Sequence, residues 1–233
     1  MRIRLSEEYK DRFWASLERQ RSGYYREFSY QFKKALNEEA SELEKIYPEG
    51  DIDRYFENRT QYWNELLERM YISTMQEFGK KSLEQFIANI TFFSRQWAAK
   101  RATLVCGFSK RRANKIITQA LAESKPIDEI ARSLRSVYKQ DANYRSMRMA
   151  RTEVVMCSNY SNLAAAQATE MAMLKVWVTA RDERVRDWHT YMDGEAVNLS
   201  ELFSNGLEFP GDPNGDPAEV INCRCVCAYE TKR

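Results

Sequence analysis

From Leu5 to Tyr47 the chain has neither proline nor a cluster of turn residues, and Phe28, Phe32, Leu36, Leu43 and Ile46 recur at helical spacing. The pattern predicts one long helix with a single apolar face. Pro48-Glu49-Gly50-Asp51 interrupts it. Asp51 is suited to cap a second helix that carries Tyr55, Tyr62, Leu66, Met70 and Ile72 as far as about Phe78. Gly79 closes that helix, and Leu83, Ile87, Ile90 and Trp97 mark a third. Gly107 reads as the next break, with Ser109 capping a helix that bears Ile116, Ile117, Ala120 and Leu121. Pro126, comfortable in a first turn, opens a short helix with Ile127, Ile130, Ala131 and Leu134, and a longer helix is expected from about Ala142 to Met171.

Beyond Met171 the period changes. Leu174, Val176 and Val178 alternate with other residues and predict a strand. Residues 181 to 192 read as one or two helical turns, Asp193-Gly194 as a turn, Glu195 to Asn198 as a short strand and Val220 to Ala228 as the last strand. The expected class is α+β: a long-helix N-terminal region, residues 1–140, followed by a small α+β C-terminal domain, residues 141–233, with a short sheet.

Composition narrows the options. A chain of 233 residues with 43% hydrophobic and 12% aromatic content can bury a sizeable core, and its 30% charged residues are mixed in sign, as on solvated helices. No run of 18 apolar residues occurs and the first residues lack an apolar h-region, so neither a membrane span nor a secretory signal is expected. Five cysteines are an odd number, and two of them lie in helix-like sequence; reduced thiols or metal ligation fit better than a disulfide framework. Charge is uneven: residues 101–151 hold 12 basic and 4 acidic side chains, whereas residues 152–233 hold 7 and 13. The basic segment could face phosphate, with Lys110, Arg111, Arg112, Arg145 and Arg148 as the candidate nucleic-acid contacts. A helix-turn-helix reading lacks a clear glycine turn at standard spacing.

Chemistry-bearing residues cluster late in the chain. The only histidine, His189, precedes Cys223, Cys225 and Cys227. Imidazole and thiolate are zinc ligands, and His189, Cys223 and Cys225 are the candidate set, with a fourth ligand from Asp182, Asp187 or Cys227. Cysteines two apart on an extended strand hold their Cβ atoms about 6.6 Å apart. Two sulfurs on one zinc must approach to about 3.8 Å, so the strand would have to bend. The competing reading makes the thiols small core residues and His189 a hydrogen-bond partner. A Cys–His nucleophile oriented by Asp182 or Asp187 is the enzymatic version. Asp212-Pro213-Asn214-Gly215-Asp216 begins like a calcium loop, but Pro217 and Cys223 occupy the positions that need glycine and glutamate; Asx turns are expected instead. On a helix, Arg151 and Glu153 cannot pair with each other, and Arg145, Arg148 and Arg151 form a stripe expected to be solvated, with buried ion pairs or nucleic-acid contact as alternatives.

The order Arg151-Thr152-Glu153, then WVTARDERVRDWHTYMDGEAV from Trp177 to Val197, then FPGDPNGDPAEVINCRC from Phe209 to Cys225, resembles the phage Mu F-like head morphogenesis family over roughly residues 145 to 228. That resemblance implies a minor capsid protein: a virion component at the head interior or portal vertex, made in the host cytoplasm, with the portal protein, the major capsid protein and packaged double-stranded DNA as partners and no membrane. It implies a part in head assembly, genome packaging or ejection. Arg151, Thr152, Glu153, Asp182, Arg184 and Asn222 are then structural motif residues, with no catalytic residue among them. Because the chain ends shortly after the last predicted strand, no appended toxin or enzymatic domain is expected. Two other classes stay open: a non-specific DNA-binding protein using residues 101–151, and a metal- or thiol-dependent hydrolase. The first hundred residues are expected to pack and dock, with Trp14, Tyr24, Tyr25 and Trp63 as candidate partner contacts, several of them being core side chains if the chain is a monomer.

Overall fold

The computed structural model describes residues 5–47, 49–80 and 84–232. Four long helices precede a small sheet: α1 (Glu7–Ile46), α2 (Ile52–Gly79), α3 (Glu84–Ala122) and α4 (Ile127–Gln167), then β1 (Met173–Val178), α5 (Asp187–Thr190), β2 (Ala196–Asn198), α6 (Pro217–Val220) and β3 (Val226–Thr231). The α+β class is as the hydrophobic pattern predicts. Helix starts follow local chemistry. Ser6 accepts from the Tyr9 N–H at the head of α1, and Asp51 accepts from the N–H groups of Asp53 and Arg54 at the head of α2. Among the described residues no helix is long and apolar enough to cross a membrane.

Two expected breaks are absent. α3 runs straight through Gly107, and Ser109 is buried inside it rather than capping a new helix. A mid-helix glycine costs only about 1 kcal/mol relative to alanine, which the flanking buried residues Val105, Cys106 and Ala113 offset. α4 likewise joins the two helices predicted on either side of residue 140. Tyr138 and Ala142 are both core residues, the Tyr138 hydroxyl donates to the Ser109 carbonyl, and Asp141 pairs with Arg112 at 3.1 Å instead of capping a helix. Position 140 therefore lies within a helix, and one apolar core joins Phe28, Phe32 and Leu36 of α1 to Val154, Val155 and Leu163 of α4.

α1 lies along α4, and α2 along α3. Trp63 and Tyr25, expected as partner contacts, are core side chains; Trp63 is wholly buried against Phe32, and Trp14 and Tyr24 are half-buried. The sheet has the order β2-β1-β3, antiparallel throughout, with Val176 opposite Ala196 on one side and Ala228 on the other. Its Val176, Val178, Val226 and Ala228 face packs on Leu17 and Phe78, at α1 and the end of α2. The opposite face, carrying Trp177 and Cys227, joins the main core. Both faces are thus covered, and Lys175, on the second face, is fully buried with its Nζ donating to the Glu208 carbonyl at 2.7 Å. β3 begins at Val226, later than predicted, because α6 and a turn occupy Pro217 to Asn222.

Candidate functional site

The Arg-Thr-Glu triplet sits near the middle of α4, where two of its side chains meet the loop before β3 and the third meets α2 and α3. Thr152 Oγ1 accepts from the Asn222 backbone N–H at 2.9 Å, and Arg151 Nη1 donates to Asn222 Oδ1 at 3.4 Å. Glu153 turns the other way: it accepts from Tyr71 of α2 at 2.6 Å and pairs with Arg101 of α3 at 2.9 Å, only 2% of its side chain remaining exposed. One helical turn therefore fastens the loop before β3 to α4 and α4 to its two neighbours.

That loop receives the rest of the motif. Asn222 lies at φ 60, in the left-handed region that asparagine tolerates better than most side chains. Arg186 donates to the Ile221 carbonyl at 2.5 Å, and Arg224 forms a two-pronged pair with Asp182, one prong at 2.6 Å. Asp182 also accepts from the Arg184 N–H at 2.9 Å, so the Arg184 backbone, with its side chain in solvent, serves the turn. The Arg224 guanidinium beside Asp182 holds that carboxyl below the usual range. Asp212, 3% exposed, spends its oxygens on the N–H groups of Glu208 and Asn214, and Asp216 caps α6 through the Ala218 N–H. These are the Asx turns expected of the Pro/Gly loop.

Behind the loop, His189, Cys223 and Cys225 come together. His189 is 1% exposed, and its Nδ1 lies 3.9 Å from the Cys223 sulfur and 3.7 Å from the Cys225 sulfur. Among the described residues these three form the group whose potential ligand atoms converge, all within 4.8 Å of one another; Asp182, Asp187 and Cys227 are not part of it. Cys223 and Cys225 lie on the irregular stretch ahead of β3 rather than on the strand, which provides the bend that close approach of two sulfurs requires. On the far side of the ring, Nε2 meets Glu219 Oε2 at 2.8 Å, and Asn205 steadies the same carboxylate oxygen at 3.2 Å. The Cys225 thiol donates toward Cys223 and, with His189, holds the Cys223 thiol well below its usual pKa against the effect of burial. Burial opposes charge on His189, but Cys223 and Glu219 outweigh it and raise the imidazole pKa. A cysteine beside a histidine has the makings of a nucleophile. Here all three side chains are at most 2% exposed, so no substrate can reach them in this conformation.

The basic segment disperses. Arg145 is 7% exposed, donates to Ser109 Oγ at 3.2 Å and lies over the Phe108 ring, so the stripe expected to be solvated is broken at its first member. Its α3-facing position, set by the α3–α4 packing, takes it out of phosphate contact. Lys110 pairs with Asp53 at 2.9 Å and Arg112 with Asp141, leaving Arg111 exposed and Arg148 half-buried over the Tyr144 ring.

Sequence reasoning missed two residues. Arg21 of α1 is fully buried, donating to Ser158 Oγ at 2.7 Å, Asn159 Oδ1 at 3.0 Å and the Arg224 carbonyl at 3.4 Å. Asn159 passes the link on, its Nδ2 donating to the carbonyls of Pro210 and Cys225. The available signal was Arg21 on the apolar stripe of α1, four residues before Tyr25.

The family profile described as "Phage Mu protein F like protein" matches residues 112–228, half of the chain. The chain belongs to that family. The matched span of this Mu F-like chain takes in the Arg-Thr-Glu clamp, the Asp182–Arg224 pair and the histidine–cysteine cluster. Among curated proteins, it is 22% identical to "Uncharacterized protein YqbB" of Bacillus subtilis (strain 168), over 78% of this chain and 63% of the relative, so it spans less than two thirds of that protein's length. No solved structure matches it.

Proposed function

We propose that this Mu F-like chain is a non-enzymatic structural component of a phage head, a minor capsid protein built in near the portal vertex. One observation carries the reading: the motif side chains are spent on contacts within the molecule. Arg151, Thr152, Glu153, Asp182, Asn222 and Arg224 all hold one segment of the chain to another. A scaffold needs such internal fastening, whereas turnover needs a reactive group that substrate can touch. The long helices are suited to docking on the portal or the shell, because they leave Tyr30, Phe92, Leu104 and Tyr144 at least 60% exposed. Packaged DNA would meet this chain through scattered exposed cations such as Arg111, in keeping with sequence-independent contact.

The test is fractionation. Heads assembled with and without portal should differ, the chain co-purifying with portal-containing heads; its absence from both immature and mature heads would overturn the proposal. A salt titration with duplex DNA separates the DNA-binding alternative, which predicts tight binding at about 50 mM salt that falls steeply as salt rises.

A further inference from the structure

We propose that Cys223, Cys225 and His189 hold a zinc ion that locks the loop before β3 into the C-terminal unit. The inference is independent of the head-assembly reading. Tetrahedral zinc, at about 2.3 Å from sulfur and 2.0–2.1 Å from nitrogen, sets sulfur–sulfur separations near 3.8 Å and sulfur–nitrogen separations near 3.5 Å. The two sulfurs lie 3.9 and 3.7 Å from Nδ1, and all three atoms fit within 4.8 Å. The sulfur–nitrogen distances need close by only a few tenths of an ångström and the sulfur–sulfur distance by at most about 1 Å, which is within the reach of side-chain rotation.

Three further observations favour a metal over bare thiols. First, Glu219 occupies Nε2 at 2.8 Å and is itself held by Asn205, so Nδ1 is the nitrogen turned toward the sulfurs. A carboxylate on the outer nitrogen is the arrangement that fixes the ring and raises its basicity in histidine-ligated zinc sites. Second, the indole N–H of the fully buried Trp177 has no hydrogen-bond partner, while its ring meets His189 edge-on at 5.3 Å. A metal-bound thiolate is an acceptor for that donor. Third, the cluster closes a 34-residue separation between His189 and Cys223, across a region in which α5, β2 and α6 are the only regular elements. Such segments gain little from their own ladders, and a metal that ties them contributes directly to folding. Asp182 is engaged by Arg224, and Glu219 sits on the wrong side of the ring, so the fourth zinc position falls to a non-protein ligand.

Elemental analysis of the full chain, purified under reducing conditions, should find one zinc per molecule. Replacing it with Co2+ should produce sulfur-to-cobalt charge-transfer absorption and the visible bands of a tetrahedral site. Cys223→Ser and His189→Ala should abolish that spectrum, while Cys106→Ser and Cys157→Ser keep it. Should the site variants fail to fold, the wild-type protein decides: a mercurial reagent should release zinc in step with modification of two thiols. The proposal is overturned if the folded chain contains no zinc and takes up neither Zn2+ nor Co2+ when either is added, if Cys223 and Cys225 are isolated as a disulfide, or if metal is retained unchanged in Cys223→Ser and His189→Ala.

Discussion

Glu153 shows how much one motif side chain carries. Its carboxylate serves Tyr71 and Arg101 at once from a site with 2% exposure, so Glu153→Ala strands a guanidinium and a buried hydroxyl together. Removing one partner of a buried ion pair costs about 3–5 kcal/mol, and urea unfolding should register a loss of that order. A loss under about 1 kcal/mol would show that the clamp is not holding the helices. Asp193 provides a pH handle. Burial acts to raise its pKa, but Lys10 at 2.6 Å, the Thr179 N–H and Arg181 outweigh it, and the carboxyl ends below its usual value. A depressed folded pKa contributes stability that is present above the unfolded value of about 3.9 and is lost as pH falls through the folded one. Thermal unfolding from pH 6 to pH 2 should therefore show a smaller acid-induced loss in Asp193→Asn than in the wild type; parallel curves would refute this. Residues of this kind were half legible. The Arg-Thr-Glu order and the requirement that Arg151 and Glu153 find separate partners could be read from helical spacing. The identity of those partners could not, because Tyr71 lies 82 residues from Glu153 and Asn222 lies 71 residues from Arg151 along the chain.

At the level of elements, apolar spacing located the helices and β1, and the side-chain cap at Asp51 was readable in advance. The failures have different causes: Gly107 is a weak helix former that tertiary packing overrides, whereas Lys139, Gln140 and Ala142 are good helix formers, so the two helices predicted on either side of residue 140 join without a break. Gly79 is a different case. A Cβ built there would lie 2.2 Å from the Phe86 ring and 2.8 Å from Ser161 Oγ, so α2, α3 and α4 converge on a position with no room for a methyl group. Gly79→Ala should cost about 1–3 kcal/mol by overpacking, although alanine is the better helix former. Chemical denaturation decides between the two effects, and a stabilised variant would mean that Phe86 yields. The sheet was harder to read. Alternation in β1 predicted a strand but not what covers it, and Lys175 is buried because α1 covers one face and the main core the other.

For the molecule as a whole, the joined α4 and the shared core of α1 and α4 predict a single cooperative unfolding transition. Far-UV and near-UV circular dichroism should coincide on a urea axis. Two separated transitions would instead support a boundary near residue 140. The histidine–cysteine cluster was foreseeable from residue types, but its sealing depends on α5, α6 and Trp177 meeting in space, which spacing alone does not encode.

Arg21 reaches Ser158 across 137 residues. During synthesis at roughly 5–20 residues per second, α1 emerges on the order of ten seconds before the stretch that covers it exists. Its greasy side must wait in water, or in the grip of a chaperone, until α4 is made. The helix of this pair that is made first is thus kept from its place until the second follows, and slow or interrupted translation between residues 50 and 160 should show up as aggregation of nascent chains.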